Sequence, residues 1–337
     1  ETPEVPENTE HLQLDVSPDN AAFLSVVPES MAKNRSINAN LVVGERLPYP
    51  SSLGNYSTTY FTVNGHVAYC LESAKSSPPS SDYVANIFES NLALQKVLYY
   101  GYGGPGDITD SYMPGFDWKL KYIFTHIAAS YAYCGTDGFY GCTFENIQSS
   151  GLWDYIQYLN GLEAPPKAAI DLSPTSAAAY ESNGEQRTKE FHLKGDHRNY
   201  ITLNLPENVT YHSGDATKTG SVKISGGTKF YFSAPMTVTG TWNSGSLAGQ
   251  MGTQWKTLVD STGGTTQDIG YGTFFEEESD SVSFQVKWMD YAKVKVMKKD
   301  NVTNTALAGA VFGIYSDKEC TKLITKMPAT NEKGETQ

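Results

Sequence analysis

The interpretation of this sequence depends most on one segment, Phe61-Thr62-Val63-Asn64-Gly65-His66-Val67-Ala68-Tyr69-Cys70-Leu71-Glu72. Its apolar, strand-like composition places Cys70 at the end of a buried strand. A cysteine in such a place is usually a small apolar side chain of the core. It becomes reactive only where a neighbouring group stabilises the thiolate. The question is therefore which group the fold brings to Cys70.

Two later segments supply candidates for that group. Thr125-His126-Ile127-Ala128-Ala129-Ser130-Tyr131 lies in a helix-compatible pattern and contributes an imidazole. Between this segment and Cys70 lies the aromatic turn Val97-Leu98-Tyr99-Tyr100-Gly101-Tyr102-Gly103-Gly104-Pro105-Gly106. Such turns line binding or active sites. An imidazole beside Cys70 would lower the pKa of the thiol by pairing with the thiolate. Alternatively, His126 is a satisfied, half-buried histidine without a chemical role.

Taken together, these segments resemble the thioester domains of Gram-positive surface adhesins. In that family, a Cys in a Tyr-Cys-Leu context bonds to the Gln side chain of a Thr-Gln-x-Ala-apolar-Trp motif, and the internal thioester captures amines. Thr125 and Ala128 match this motif, whereas His126 stands at the Gln position and Ser130 at the Trp position. An imidazole cannot supply the carboxamide carbon of a thioester. The resemblance thus implies an adhesin head in which the Cys70 thiol is free and faces His126.

Two other functions stay open at this stage. Cys70 as nucleophile and His126 as base would make a transglutaminase-like acyltransferase or a cysteine peptidase. Such an enzyme needs a third group to orient the imidazole, and Asp107, Asp137 and Asn146 are unspecific candidates. A structural spacer within a surface protein is the remaining alternative. Enzymatic activity is left undecided, with the binding role preferred.

Another glutamine would be needed for a thioester. Gln95 precedes the aromatic turn, and Gln254 and Gln267 each follow a threonine. Neither Thr-Gln pair continues with the expected Ala, and both lie in β-rich sequence. A thioester between Cys70 and one of these residues is therefore the less favoured alternative.

Composition limits the functions that need to be considered. The chain has 337 residues, enough for two or three domains, with 25 basic and 37 acidic residues and a net charge of −12. Without a basic cluster, nucleic-acid binding and docking to an anionic membrane are not supported. No run reaches the roughly 18 apolar residues of a membrane span, and no secretory signal is present. If the protein is exported, its targeting and anchoring segments were removed or lie outside this sequence.

The 22 tyrosines and 30 glycines favour a β-rich extracellular protein, anchored to the cell wall according to the resemblance. Its expected partner is a protein or glycan on a host or neighbouring cell, bound by a monomer. Tyr99, Tyr100, Tyr102 and Tyr131 are candidate groove residues for that partner. Packing in an aromatic core explains the same four residues equally well.

The pattern along the chain predicts an α+β protein of several parts. Helical spacing covers 83–98, 120–133 and 151–162, whereas β-like runs occupy 200–205, 221–224, 229–232, 236–239 and 282–288. The predicted division is an N-terminal tail at 1–20, a thioester-like head with a helical part at 21–165, a connector at 166–190 and an antiparallel β-sandwich at 191–291.

Residues 292–337 form a further predicted unit. Val294 to Asp300 and the later Leu307-Ala308-Gly309-Ala310-Val311-Phe312 resemble the opening of pilin-like prealbumin domains, also called collagen-adhesin B-type domains. In that family a lysine of the first strand, here Lys298, forms an isopeptide bond with a late Asn, assisted by a buried acid. The sequence stops before either partner is expected, so we read this unit as the first part of a stalk domain.

The cysteines and histidines give little indication of disulfide bonds or of metal binding. Cys134 and Cys142 flank a Gly-containing loop that could close as a disulfide, or they stay as two separate thiols. No His and Cys pair has metal-ligand spacing, so neither a metal nor another cofactor is expected.

Overall fold

The computed structural model describes residues 37–276, 280–290 and 294–337. The predicted tail at 1–20 and the first part of the predicted head lie outside these residues. The chain divides into two compact units. The described part of the first unit runs to Ile170 and includes Gly195–Ile201 and Ala248–Ser281, whereas the second comprises Asp171–Lys194, Thr202–Leu247 and Val282–Gln337.

The elements follow one another in an α+β order, as the sequence predicts. The first group is β1 (Ile37–Pro48), β2 (Ser57–Val63), β3 (His66–Cys70), β4 (Ser81–Ile87), α1 (Leu92–Tyr100), α2 (Thr109–Tyr112), α3 (Trp118–Cys134), a 3-10 turn (Gly135–Phe139), α4 (Phe144–Ser149) and α5 (Leu152–Gly161). Strands then follow: β5 (Ile170–Ser173), β6 (Ser176–Ser182), β7 (Glu185–Thr188), β8 (Phe191–Gly195), β9 (Tyr200–Asn204), β10 (Thr210–Ser213), β11 (Ala216–Lys218), β12 (Ser221–Ser225), β13 (Thr228–Pro235), β14 (Thr241–Asn243), β15 (Leu247–Ala248), β16 (Thr253–Asp260), β17 (Ile269–Glu276), β18 (Ser281–Val282), β19 (Gln285–Lys287), β20 (Val296–Met297), β21 (Gly313–Tyr315), β22 (Leu323–Lys326) and β23 (Glu335–Thr336).

A closed barrel carries Cys70. Its strands follow the order β1-β2-β3-β17-β16-β4, and β4 returns to pair with β1. In this register Cys70 of β3 lies opposite Ile269 of β17, which in turn lies opposite Asp260 of β16. Opposite residues of antiparallel strands point to the same side of the sheet. Cys70, Ile269 and Asp260 therefore lie side by side across three strands.

The barrel corrects the predicted boundaries of two domains. β16 and β17 belong to the segment assigned to the sandwich at 191–291, yet they complete the barrel that β1 to β4 begin. The head therefore does not end at residue 165. Pairing between strands so far apart in the chain depends on tertiary contacts, which local patterns do not report.

The helices pack on the barrel through a large apolar core. α3 begins at Asp117, whose side chain accepts a hydrogen bond from the Leu120 backbone amide at 2.9 Å, and it ends at Gly135, where φ is 66°. The predicted helix at 120–133 is confirmed by α3, and that at 151–162 by α5. The predicted helix at 83–98 is wrong in its first part, because 83–87 belong to β4. Barrel pairing overrides the mixed helical spacing there.

The second unit contains a sheet with the order β11-β10-β13-β7-β6-β19-β14, to which β8 and β5 are attached. Its first strands lie at 170–188, so the predicted connector at 166–190 is wrong: this polar segment pairs as β6 and β7. Residues 236–239, expected as a strand, form a turn and loop instead. The core is aromatic, with Phe191 stacked on Phe230 at 5.6 Å and Phe232 stacked on Phe284 at 5.4 Å.

Residues 294–337 contain two small antiparallel pairs, β20 with β23 and β21 with β22. Lys298 is exposed, and its backbone bonds to Gly334 and Leu307. No described salt bridge or hydrogen bond engages its side chain, so its isopeptide role stays a prediction. Among the described residues, no helix has the length and apolarity needed to cross a membrane.

Candidate functional site

Hydrogen bonds fix α3 against the strand that ends in Cys70. The Ser130 hydroxyl donates to the Cys70 carbonyl at 2.9 Å and accepts from the Ser73 hydroxyl at 3.0 Å. Two turns earlier, the Tyr122 hydroxyl lies 2.7 Å from the Ala68 carbonyl. His126 lies one helical turn from each of these anchors, on the same face of the helix. The structure therefore brings the helix turn of His126 to β3, as the sequence predicts.

The side chain of Cys70 belongs to the barrel interior. Tyr69, its neighbour, stacks on Tyr122 of α3 with ring centroids 4.7 Å apart. Successive residues of a strand point to opposite faces, and Cys70 accordingly joins the apolar cluster formed with Phe61, Ile269 and other barrel residues. Cys70 is 1% exposed and His126 is 2% exposed. No described hydrogen bond or ion pair joins the two side chains.

The protonation states differ from those expected of a catalytic pair. Burial raises the pKa of the Cys70 thiol far above its usual range, although a hydrogen bond with the Ser77 side chain opposes the rise. Burial lowers the pKa of His126 to about 3. The imidazole is therefore neutral at physiological pH, and its Nδ1 atom has no hydrogen-bond partner among the described residues. The pKa of the Cys70 thiol is thus raised by burial rather than lowered by His126, and burial is the cause of the shift in both groups.

The candidate third groups are engaged elsewhere. Asp107 accepts hydrogen bonds from the Gly103 amide at 2.9 Å and from the Thr109 amide at 2.8 Å, so it stabilises the aromatic turn. The Asn146 side chain donates to the Leu53 carbonyl at 3.4 Å. Asp137 lies exposed in the 3-10 turn. None of these three residues has a described hydrogen bond to His126.

The four tyrosines predicted to bind a partner lie in different packing groups. Tyr99 packs edge-on against both Tyr100 and Trp255, and Tyr102 stacks on Trp118 at 6.4 Å. Tyr131 belongs to a different group of aromatic side chains. It stacks on Phe139 at 4.7 Å and packs edge-on against Trp153. All four are partly buried against the helical core, so packing accounts for them without a groove.

Cys134 and Cys142 are free in the structure, which corresponds to the second of the two alternatives stated for them. Cys134 lies within hydrogen-bond distance of the Leu71 carbonyl, at 3.3 Å, and the Ser130 carbonyl, at 3.2 Å. Burial raises the pKa of each of these thiols to about 11.

Of the three glutamines, Gln267 is the one near the barrel end that holds Cys70. It lies two residues before Ile269, the partner of Cys70, and is 7% exposed. Its amide nitrogen donates to the Lys75 carbonyl at 2.8 Å, while its Oε1 atom is buried without a partner. Gln95 donates to the Glu89 carbonyl, and Gln254 accepts from the Ala168 amide.

Asp260 is the site residue that the sequence did not reveal. Its carboxyl group is fully buried, and neither oxygen has a hydrogen-bond partner among the described residues. Burial, assisted by the negative charge of Asp268, raises its pKa to about 6. The Tyr271 hydroxyl in the same barrel is likewise buried without a partner. In the sequence, Asp260 stands out only as an acidic residue after an apolar run. The sequence does not indicate which residues of the adjacent strands surround it.

Among the described residues, no cluster of three His, Cys, Asp or Glu side chains could hold a metal ion. The chemistry available at the site is therefore that of a protonated buried thiol, a neutral imidazole, a carboxamide and a carboxyl group.

Comparison with known families matches two parts of the chain. Residues 38–166 match the family model described as "Thioester domain". Residues 171–251 match the model described as "TED associated beta sandwich domain". These matches confirm the resemblance drawn from the segments around Cys70 and His126. No curated protein matches the chain.

A solved structure supports the same fold. The chain is similar to "The Bacillus anthracis TIE protein", with 18% identity and a TM-score of 0.51, covering 87% of this chain and 56% of that one. It thus spans little more than half of that protein. The thioester domain of the Enterococcus faecium TIE86 protein matches with 14% identity and a TM-score of 0.36, over 74% of this chain and 96% of that one.

Proposed function

We propose a function from the premise that residues 38–166 belong to the thioester domain family and are followed by the sandwich domain associated with it. The chain is the head region of a surface adhesin of a Gram-positive bacterium. It attaches the cell to a protein or glycan on a host or neighbouring cell, outside the cell and as a monomer. The family match is the main support for this function.

The proposal extends to the chemistry of Cys70. The observation that carries it is the position of α3: Ser130 bonds to the Cys70 carbonyl, and one turn away the helix presents His126 in place of a carboxamide. The side chain at position 126 therefore has no acyl carbon that could form a thioester with Cys70. Because burial also keeps the thiol protonated, Cys70 stays a free thiol beside the His126 turn.

The same observations give less support to a Cys/His acyltransferase or peptidase. A nucleophilic cysteine needs a lowered pKa or an adjacent base within hydrogen-bond reach. Cys70 has a raised pKa, and the described residues give its thiol no hydrogen bond to His126. We therefore favour the binding role over the enzymatic one.

We further propose that residues 292–337 are the first part of a pilin-like stalk domain with Lys298 as its isopeptide lysine. The support is the sequence of this segment, together with the antiparallel pairing of β20 with β23. Residues 291–293 at its start lie outside the described residues.

The test of the Cys70 proposal is the intact mass of the purified chain, measured before and after treatment with methylamine and, separately, with iodoacetamide in denaturant. We expect the full calculated mass, no methylamine adduct, and alkylation of Cys70 after unfolding. A Cys70→Ala variant identifies the alkylated position.

A measured mass that is lower than the calculated mass by one ammonia molecule, followed by methylamine incorporation at a glutamine, would contradict the proposal that Cys70 is a free thiol. In that case Gln267→Ala should restore the calculated mass, since Gln267 is the buried glutamine beside the Cys70 strand pair. Adhesion itself is tested separately, by comparing the binding of beads coated with this chain and uncoated beads to host and bacterial cells. Equal binding would contradict the adhesin role.

A further inference from the structure

A cavity of about 360 Å³ lies away from Cys70, in the helical part of the first unit. Its walls come from the segment after α2, from α3 and from the start of α5. The residues that matter for its chemistry are Tyr112, Met113, Phe116, Phe124, Gly151 and Asp154. This volume falls within the range of small-ligand sites, which is roughly 300–1,000 Å³. Neither the Cys70 chemistry nor the family match assigns a role to it.

The aromatic walls meet at right angles. The rings of Phe116 and Phe124 have centroids 5.2 Å apart and an interplanar angle of 77°. Tyr112 adds a third ring, held against Tyr155 at 5.4 Å and Tyr158 at 4.7 Å. Phe124 is only 4% exposed, so the core fixes its position. The core therefore holds Phe116 in place through Phe124, and the partly buried Phe116 and Tyr112 supply the ring surface of this open pocket. Ring faces attract cations.

A carboxylate completes this corner. Asp154 lies in the first turn of α5 and is exposed. The pKa of the Tyr112 hydroxyl is raised by burial and then by the charge of Asp154, which shows that the two groups lie close. Asp154 has no hydrogen bond or salt bridge with any described residue. It is therefore available to an incoming cation.

The remaining lining adds no competing charge. No Lys, Arg or His lines the cavity. The chain as a whole carries a net charge of −12, which favours the approach of a cation over that of an anion.

We propose that this cavity binds a quaternary ammonium group, with the methyl groups against Phe116 and Tyr112 and the charge directed to Asp154. A primary ammonium has three N–H donors that need acceptors, whereas the described part of the lining contains one charged acceptor, Asp154. A quaternary ammonium has no donors and fits an aromatic corner with one carboxylate. The site is non-covalent and acts independently of Cys70.

The test compares choline with its neutral isostere, 3,3-dimethyl-1-butanol, titrated into the full chain and followed by calorimetry and ¹H–¹⁵N NMR. Cation–π attraction and the carboxylate should together make choline bind at least about tenfold more tightly. Equal affinity would show an apolar cavity only, and the absence of saturable choline binding would equally overturn the proposal.

Variants locate the site. Asp154→Asn should weaken choline binding at least about fivefold, and Phe116→Leu, which keeps apolar volume but removes the ring, should do the same. Glu145→Gln is the matched control, because Glu145 is also an exposed acid in the first turn of a helix but lies outside the cavity. Equal losses in Asp154→Asn and Glu145→Gln would show a general charge effect and contradict the assignment.

A last comparison distinguishes the two sources of such a group. Co-sedimentation with phosphatidylcholine vesicles, but not with phosphatidylglycerol vesicles, would identify a lipid head group as the source. Binding of free choline without co-sedimentation would identify a soluble or polymer-linked ammonium.

Discussion

At the scale of single residues, Asp260 determines how the barrel responds to pH. Its folded pKa of about 6 lies above the usual 3.8, so stability from this group is present below pH 3.8 and is lost as pH rises through about 6. The difference between these two pKa values corresponds to roughly 3 kcal/mol.

The effect of His126 on the pH dependence of stability is opposite to that of Asp260. The folded His126 pKa of about 3 makes stability fall as pH drops below the usual 6.5.

The Asp260→Asn substitution separates the two contributions. Relative to the unsubstituted chain, its free energy of unfolding should rise by about 2.4 kcal/mol between pH 4 and pH 8, because the amide does not ionise. His126 is present in both chains and cancels in this difference. Urea unfolding at the two pH values measures it, with the exposed Asp137→Asn as control. A pH-independent difference between Asp260→Asn and the unsubstituted chain would show that Asp260 does not titrate as inferred.

At the scale of elements, the Tyr122 hydroxyl group is one of the contacts that hold α3 on the barrel. The fully buried Tyr122 hydroxyl accepts from the Phe61 amide at 3.1 Å and lies within hydrogen-bond distance of the Thr59 and Ala68 carbonyls. Tyr122→Phe leaves the Phe61 amide without this partner and should destabilise the chain by about 1–3 kcal/mol. The exposed Tyr158 offers the matched control, Tyr158→Phe. Chemical denaturation of both variants checks the prediction, and an equal, small effect would refute it.

The sequence predicted the long elements better than the short ones. α3 has a sustained helical pattern and a cap at Asp117, and both are local signals. β4 was read as helix because the spacing of Val84 and Ile87 fits either structure, and short apolar runs do not discriminate between them. The sequence does not predict the strands at 170–188, because they hold few large apolar residues and the buried positions of β7 are the polar Gln186 and Thr188.

The candidate site was predictable to a similar extent. The resemblance predicts Cys70 and His126 on neighbouring elements, and a hydrogen bond from Ser130 of α3 to the Cys70 carbonyl joins these elements. It did not reveal on which side of β3 the thiol points, since that depends on strand alternation within a closed barrel. Asp260 was missed for the same reason: its environment is created by Ile269 and Ala85 across the sheet.

At the scale of the molecule, the barrel is completed by strands far along the chain. We therefore predict that a protein of residues 37–252 lacks a folded barrel, whereas one of residues 37–290 retains it. The shorter protein loses β16 and β17, which leaves two unpaired strand edges and exposes the apolar interior. Dispersed amide NMR signals for Phe61, Ala68 and Cys70 in both proteins would contradict this prediction.

The pairing of β3 with β17 also sets the order of events during biosynthesis. Cys70 is synthesised about 200 residues before Ile269, its partner strand residue. At roughly 5–20 residues per second, the thiol spends some 10–40 seconds as part of an open sheet before translation supplies the strand that encloses it. During that interval Cys70 is available to small oxidants, to other thiols of the nascent chain and to chaperones. The protection that burial gives to the thiol therefore begins only when β17 has been synthesised.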